Sequence, residues 1–91
     1  MSVRVRIFYA DLRRAVGDRG ELLVDGATVG ECLDDLIRRH PAAKPYIFDA
    51  RGALHRTFYV FVNQEGMFKA DFARPVTDRD TLILAAPAVA G

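Results

Sequence analysis

The side chains most often used in catalysis are few in this sequence and stand apart from one another. Cys32 is the one cysteine, and His40 and His55 have no metal-ligand partner beside them. A glycine-rich phosphate loop and a nucleophile elbow are both missing. Cys32 lies among apolar residues at helical spacing, so we expect a buried structural thiol, because reactive cysteines need exposure and a lowered pKa. The sequence therefore predicts neither a metal site nor a self-contained enzyme.

One enzyme class has to be weighed, an acylphosphatase-like domain. Such a domain would need an arginine-bearing anion loop near the N-terminus and an asparagine on a strand. Asn63 is present, but the segment from Asp11 to Arg14 lacks the glycines that would turn backbone amides toward a phosphate. The sequence disfavours this class.

Length, composition and charge indicate one ordinary globular domain. The 91 residues can close one hydrophobic core, and 51% of them are apolar and 27% charged. Thirteen basic and twelve acidic residues nearly cancel, so no nucleic-acid partner is expected. The apolar run from Leu82 to Ala90 is too short to cross a membrane, and the N-terminus does not resemble a secretory signal. We therefore expect a cytoplasmic protein.

The first third of the chain predicts a β-hairpin. A period-two pattern indicates a strand over Val3 to Tyr9. Its two faces carry Val3, Val5, Ile7 and Tyr9 on one side and Arg4, Arg6 and Phe8 on the other. The polar segment from Asp11 to Asp18 is expected to end in a turn around Gly17 and Gly20. Glu21 to Val24 then forms a second strand that ends at the Asp25-Gly26 turn pair.

A capping box marks the start of one main helix, because Thr28 and Glu31 have the spacing at which each side chain satisfies a free amide of the first turn. The apolar stripe that follows is Val29, Cys32, Leu33, Leu36 and Ile37. The acid-base pairs expected outside it, four residues apart, are Asp34 with Arg38 and Asp35 with Arg39. Pro41 disfavours helical geometry at His40, which predicts a helix from Val29 to His40.

The second half of the chain predicts further strands. A connector is expected over Ala42 to Gly52, with a helical turn at 46–48. A strand over Thr57 to Val62 should follow, then a turn at 63–66 and a weak strand or extended edge over Met67 to Phe72. A turn at 77–80 leads into a last strand over Thr81 to Ala85. This order favours an α+β, β-grasp (ubiquitin-like) fold, a mixed sheet wrapped around one main helix. A ferredoxin-like fold is the alternative. The domain would span 1–85, and the small uncharged residues 86–91 would form a flexible C-terminal tail.

One helix can cover only one face of the sheet, so the other face should present apolar side chains to a partner. Phe8, Tyr59 and Phe61 are the predicted partner-binding residues. The opposite register of the third strand would present Phe58 and Val60 instead. Arg4 and Arg6 would form the rim of this surface. Alternatively, the connector folds over the surface and closes it.

Several short segments, taken in this order and spacing, resemble the MoaD/ThiS family of ubiquitin-like sulfur carriers, which includes the small subunit of molybdopterin synthase. They are Val5–Phe8 with Asp11–Arg13, then Gly26–Glu31, Val60–Asn63, Asp78–Asp80 and the tail Pro87–Gly91. The resemblance covers nearly the whole chain. The tail looks most like the branch that delivers sulfur for cysteine or natural-product biosynthesis, although molybdopterin carriers end similarly.

The resemblance implies that the chemistry belongs to the C-terminal carboxylate of Gly91. A partner adenylating enzyme of the MoeB/ThiF type would use ATP to form an acyl-adenylate there, and a sulfur donor would convert it to a thiocarboxylate for a sulfur-accepting biosynthetic enzyme. The tail residues that would enter the partner's channel are Pro87, Ala88, Val89 and Ala90. The chain would bind no cofactor of its own and be a monomer when free.

The C-terminus leaves two questions open. Tails of this family end in two glycines, whereas here Ala90 precedes a single Gly91. Either the carrier tolerates alanine at this position, or the sequence is one residue short of its natural end. A non-catalytic ubiquitin-like interaction or modifier domain, with the same fold and no sulfur chemistry, is the alternative function.

Overall fold

The structure is a computed structural model that describes residues 2–55, 58–63, 65–67 and 71–86, with residues 65–67 described by their backbone. Its elements are β1 (Ser2–Ile7), α1 (Ala10–Ala15), β2 (Glu21–Asp25), α2 (Val29–Arg39), a 3₁₀ turn (Pro41–Ala43), α3 (Lys44–Ile47), β3 (Tyr59–Val62), β4 (Glu65–Met67) and β5 (Thr81–Ala85). Within these described ranges, the strands form one five-stranded sheet in the order β2-β1-β5-β3-β4.

The pairing of the strands is that of a β-grasp fold, as the sequence predicts. β1 and β2 form an antiparallel hairpin, β1 and β5 lie parallel at the centre, and β3 is antiparallel to both β5 and β4. A ferredoxin-like fold begins with a split βαβ unit, whose two strands run parallel and are not neighbours. The direct antiparallel pairing of β1 with β2 shows that this alternative is wrong.

The segment between β1 and β2 contains a helix that the sequence did not predict, ahead of the predicted turn. It contains α1, and Leu12 and Val16 on this segment are fully buried. Residues four apart lie on the same side of a helical turn, so a short helix brings both side chains into the core. The reversal itself follows α1, at Gly17 and Asp18, which both have positive φ.

Helix α2 follows the prediction closely and ends at Arg39, with His40 as its C-cap. Thr28 Oγ1 accepts from the Glu31 N–H at 3.2 Å, as expected of the capping box. The Glu31 carboxylate accepts from the Ala27 N–H at 3.2 Å rather than from the cap residue itself. Both bonds satisfy amides that the helix start would otherwise leave without partners.

The apolar stripe of α2 packs against the sheet as predicted. Its buried members are Val29, Cys32, Leu33 and Leu36, and Ile37 is half-buried at the margin. The same cluster contains Val3, Val5, Ile7, Leu82 and Leu84 of the two central strands. Burial, followed by the charges of Glu31 and Asp35, raises the pKa of the Cys32 thiol to about 11. Cys32 is therefore a structural thiol, as expected.

The sequence predicted Asp35 on the solvated face of α2, but the structure shows that this residue is buried. It is only 5% exposed, and its Oδ2 accepts from the Asp25 N–H at 2.8 Å. Arg39 pairs with the same carboxylate at 2.8 Å, and Arg38 pairs with Asp35 rather than with Asp34. The hydrogen bond from Asp25 is the main cause of the lowered pKa of Asp35, and it outweighs the desolvation that would raise this pKa. Asp35 thus ties α2 to the edge strand β2.

The connector, β3 and β5 are close to the prediction, whereas β4 shares only Met67 with the strand predicted over Met67 to Phe72. The expected helical turn is α3, whose Ile47 is fully buried. β4 begins already at Glu65, so the turn at 63–66 is shorter than predicted, because Asn63 adopts a φ of 58° and reverses the chain at once. Residues 56–57, 64 and 68–70, which belong to predicted strands and turns, lie outside the described residues. No helix in the described part is long and apolar enough to cross a membrane.

The packing of α2 predicts the effect of shortening one of its core residues. Leu36→Ala should lower the free energy of unfolding by about 2–5 kcal/mol, because it removes buried methyl groups and leaves a cavity. Urea denaturation measures this change. Leu23→Ala is the matched control, because Leu23 is 57% exposed, and it should change the stability by less than about 0.5 kcal/mol. A similar small effect at Leu36 would show that the stripe is not core.

The Asp35 contacts predict a pH-dependent contribution to stability. Asp35→Ala should cost about 1.5–3 kcal/mol at neutral pH, because it leaves the Asp25 amide without its charged acceptor. Since the pKa of Asp35 is lowered in the folded state, this contribution is present above the unfolded pKa of about 3.9 and disappears as the pH falls further. Denaturation midpoints across this range should converge for the two proteins. The exposed neighbour Asp34→Ala should show no such convergence, and equal behaviour of the two variants would contradict the assignment.

Candidate docking surface and C-terminal tail

The sheet face turned away from α2 carries a group of exposed apolar side chains. Phe8 is 55% exposed and Tyr59 46% exposed, while Phe58 and Val60 are buried. The third strand therefore presents Tyr59 and Phe61 on this face, and the opposite register is wrong. Phe61, like Ile83 and Ala85 on β5, is partly exposed. We call the set Phe8, Tyr59, Phe61, Ile83 and Ala85 the aromatic face.

The strand register brings these side chains together. Tyr59 lies opposite Ala85, and Phe61 lies opposite Ile83. The rings of Tyr59 and Phe61 are 6.4 Å apart between centroids. Phe8 continues β1 alongside β5, since its N–H donates to Leu84 O at 2.8 Å. The aromatic face therefore spans the end of three adjacent strands, β1, β5 and β3.

The connector does not close this face. Ala43 and Ile47, from the connector, are fully buried in the core cluster that also contains the stripe of α2. The connector therefore packs on the helix side of the sheet, and Phe8 and Tyr59 stay exposed. An exposed apolar patch with a polar margin is typical of protein interfaces. That this surface binds a partner stays a prediction.

Two arginines lie at the margin of the aromatic face and are already paired. Arg4 Nε is 3.1 Å and Arg6 Nε 3.8 Å from the carboxylate of Glu21, and the Arg6 guanidinium lies 5.2 Å from the centroid of the Phe8 ring. All three charged side chains are more than half exposed, so solvent screens these pairs and each adds little to stability. Arg6 is therefore available to a partner that offers it a better acceptor.

The tail begins beside the aromatic face. β5 ends at Ala85, which lies opposite Tyr59, and Ala86 follows it. The remaining residues, Pro87 to Gly91, lie outside the described residues. The flexibility predicted for the tail, the domain limit at residue 85 and the role of Gly91 therefore stay predictions. The position of Ala85 does place the end of β5, from which the tail continues, at the surface predicted to dock.

The remaining candidate residues have structural roles in the described part of the chain. His40 caps the end of α2, and His55 Nε2 lies 2.7 Å from Pro45 O. Asn63, which an acylphosphatase-like site would need, donates from Nδ2 to Asp80 Oδ1 at 3.0 Å, and its Oδ1 accepts from the Thr81 N–H at 2.9 Å. These bonds tie the β3–β4 turn to the start of β5 and count against the acylphosphatase-like reading.

Sequence reasoning missed two members of the aromatic face, Ile83 and Ala85. The alternation of the last strand carries the signal, because Leu82 and Leu84 are buried and their neighbours must then point the other way. Leu82 to Ala85 is apolar throughout, so only the alternation could have revealed which residues face outward.

Comparison with solved structures gives whole-length similarity to small ubiquitin-like proteins. SAMP1 from Haloferax volcanii is 32% identical over 100% of both chains, with a TM-score of 0.85. A chain of the BexX/CysO complex of Amycolatopsis orientalis is 32% identical, with 98% of this chain and 99% of that chain covered and a TM-score of 0.82. CysO of Mycobacterium tuberculosis is 25% identical over 92% and 97% of the two chains, with a TM-score of 0.80. Family models and curated protein sequences give no match.

These similar proteins are ubiquitin-like sulfur carriers of the MoaD/ThiS type. The chain belongs to this family. The resemblance inferred from its short segments is confirmed, and so is the β-grasp fold. Family membership also supports the general kind of protein, a small carrier or modifier.

The geometry of the aromatic face predicts that a charge at its centre weakens docking in this member of the MoaD/ThiS family. Phe8→Asp should lower affinity for the adenylating enzyme that the sequence resemblance predicts as a partner at least about tenfold, because it would place a carboxylate in a desolvated contact. Titration calorimetry measures the affinity, and circular dichroism checks that the variant is folded. Leu23→Asp is the control, since Leu23 is similarly exposed but lies opposite Arg4 on the edge strand β2, at the margin of this face and away from its centre. Equal affinities for the two variants would show that the aromatic face is not the docking surface.

Proposed function

We propose that this protein carries sulfur as a thiocarboxylate on Gly91. Whole-length similarity to sulfur carriers of the MoaD/ThiS type is the observation that carries this proposal. The start of the tail beside the aromatic face supports it, because a docked partner would then have the C-terminus close to its own surface.

The chemistry begins with the carboxylate of Gly91. One of its oxygens attacks the α-phosphate of ATP within a partner adenylating enzyme of the MoeB/ThiF type, and pyrophosphate leaves. Hydrosulfide released by a sulfur donor then attacks the carbonyl carbon of the acyl-adenylate, AMP leaves with the bridging oxygen, and a thiocarboxylate remains on Gly91. The α-carboxyl group has an ordinary pKa of about 3.5, so it is ionised and nucleophilic at neutral pH. Glycine has no side chain, which leaves its carbonyl accessible in a narrow channel.

The domain and the tail have separate tasks in this function. The aromatic face supplies affinity by burying apolar area, with the centre of the patch at Phe8, Tyr59 and Phe61. The tail residues Pro87 to Ala90 are small enough to enter a narrow active-site channel. Ordering the tail costs conformational entropy, which the contacts of the face offset. The carrier itself binds no cofactor, and ATP belongs to the partner.

The sulfur is delivered to a biosynthetic enzyme that binds the same carrier. The complex of BexX with CysO is a structure in which a similar protein is named with a partner protein. Tail sequence favours delivery to cysteine or thio-natural-product biosynthesis over delivery to the molybdopterin cofactor. The pathway is assigned by finding which sulfur-accepting enzyme reacts with the thiocarboxylate form of the protein.

A protein modifier is the second candidate function. Two similar structures are small archaeal modifier proteins, one from Haloferax volcanii and one from Methanosarcina acetivorans. A modifier would use the same acyl-adenylate but transfer the Gly91 acyl group to an amine of another protein. The two functions are separated by the product, which is a thiocarboxylate on the free chain for a carrier and an amide with a second protein for a modifier.

The proposal predicts that bulk at the terminus blocks activation but not docking. Gly91→Val should abolish ATP–pyrophosphate exchange by the adenylating enzyme, because a branched side chain next to the carbonyl hinders its approach to the phosphate. The variant should keep its denaturation midpoint and its affinity for the enzyme. Normal exchange by Gly91→Val would contradict the role of this carboxylate.

The single terminal glycine calls for a control. The chain should be compared with Ala90→Gly and with a chain extended by one glycine. If all three chains are converted to the thiocarboxylate, alanine is tolerated before the reactive glycine. If only the extended chain is converted to the thiocarboxylate, the reactive carboxylate lies one position beyond Gly91.

A further inference from the structure

The edge strand β2 is open on its outer side. Within the described ranges it has β1 as a neighbour on one side and no strand on the other. The Ile7 N–H donates to Gly20 O at 2.9 Å, and hydrogen-bonded and non-hydrogen-bonded pairs alternate along an antiparallel ladder. The backbone of Leu22 therefore bonds to β1, as does that of every second residue from there. The residues whose N–H and C=O groups point away from β1 are Glu21, Leu23 and Asp25.

A contact between Asp25 and α2 agrees with this orientation and closes one end of the edge. The Asp25 N–H points away from β1 and donates to Asp35 Oδ2 at 2.8 Å. Arg39 holds the same corner, because its guanidinium lies 2.7 Å from the Asp25 carboxylate. The outward N–H and C=O groups of Glu21 and Leu23 have no hydrogen-bond partner among the described residues. The open part of the edge is therefore the backbone of these two residues.

An exposed leucine lies at the centre of this edge. Leu23 is 57% exposed, the highest exposure of any large apolar side chain in the described part of the chain. Edge strands are usually protected from further pairing by charged side chains, proline or a bulge. β2 has its charged residues at its two ends, Glu21 and Asp25, and its pairing with β1 is continuous. The edge therefore suits an extended backbone that brings an apolar side chain beside Leu23.

The charges at the ends of β2 disfavour a second copy of this chain as the occupant. An antiparallel pair of β2 strands centred on Leu23 would place Glu21 of each copy opposite Asp25 of the other. Like charges directly opposite one another destabilise a sheet. A segment that has no acidic residues at these positions avoids the repulsion, so the charges favour a different protein.

We propose that the β2 edge binds an extended segment of a partner protein, which pairs with the backbone of Glu21 and Leu23 and packs an apolar side chain against Leu23. An antiparallel segment would satisfy the N–H and C=O groups of both residues. β1 separates this edge from β5, the strand that leads to the tail. The edge has no part in the proposed sulfur transfer, and its partner is distinct from the adenylating enzyme.

Two proline variants test the orientation of the edge. Leu23→Pro should keep the domain folded, because the N–H that it removes points to solvent and edge strands tolerate proline there. Leu22→Pro should unfold the domain or lower its denaturation midpoint strongly, because it removes a ladder bond to Val5. Amide hydrogen exchange of the unmodified chain gives an independent readout, in which Leu23 should exchange fast and Leu22 and Val24 slowly.

A random peptide library displayed on phage supplies the binding probe. Selection on the wild-type chain should recover a class of peptides that keeps its affinity for Phe8→Asp. For this class, Leu23→Pro should lower affinity at least about tenfold, because the ring removes a donor and occupies the space of the incoming strand. Leu23→Ala, which keeps the N–H, should lower the affinity less. Nuclear magnetic resonance titration should shift the amide signals of Glu21 and Leu23 and slow their hydrogen exchange.

Four results would overturn the proposal. Slow exchange at Leu23 in the free chain would show that its N–H is already bonded. Recovery of no peptide class sensitive to Leu23→Pro would show that the edge binds no extended segment. An equal loss of affinity in Leu23→Ala and Leu23→Pro would indicate a side-chain contact rather than strand pairing. A dimer in sedimentation equilibrium that Leu23→Pro abolishes would make a second copy the occupant. None of these results bears on thiocarboxylate formation, since no adenylating enzyme is present.

Discussion

The parallel pairing of β1 with β5 at the centre of the sheet is the constraint on which the rest of the structure depends. It sends the first and the last strand in the same direction, so β5 ends beside Phe8 and not at a distant edge. The antiparallel pairing of β3 with β5 then brings Tyr59 opposite Ala85. This one strand pairing therefore brings the end of β5, from which the tail continues, to the apolar surface predicted to dock.

The single main helix determines which face of the sheet stays free. The stripe of α2 and the connector both pack on one side, and the exposed aromatic residues occupy the other. Polar contacts hold this arrangement at its margins. Asp35 binds the backbone of the edge strand β2, and the hydrogen bonds of Asn63 and Asp80 join the β3–β4 turn to the start of β5. These side chains stabilise the helix and the sheet that carry the aromatic face.

Local patterns in the sequence predict much of this fold. The capping box and the stripe predict α2 to within one residue of its end, and the hairpin and last strand follow from alternation. Long-range contacts are what the patterns could not predict. In the sequence, Asp35 looks like one half of an i,i+4 ion pair. Its backbone partner, Asp25, is distant in sequence, so no local pattern reveals their hydrogen bond. The third strand is apolar on both faces, so alternation alone could not decide between Tyr59 with Phe61 and Phe58 with Val60. The role proposed for Gly91 rests on the family resemblance and not on geometry.

Sulfur transfer through the C-terminus is the central claim, and the intact mass of the protein tests it most directly. The chain is incubated with an adenylating enzyme of its source organism, ATP and a sulfur donor, and its mass is compared with a reaction that lacks ATP. A thiocarboxylate on Gly91 predicts an ATP-dependent increase equal to the mass difference between one sulfur and one oxygen atom. An unchanged mass with every adenylating enzyme of that organism, for the chain and for its one-glycine extension, would contradict the claim.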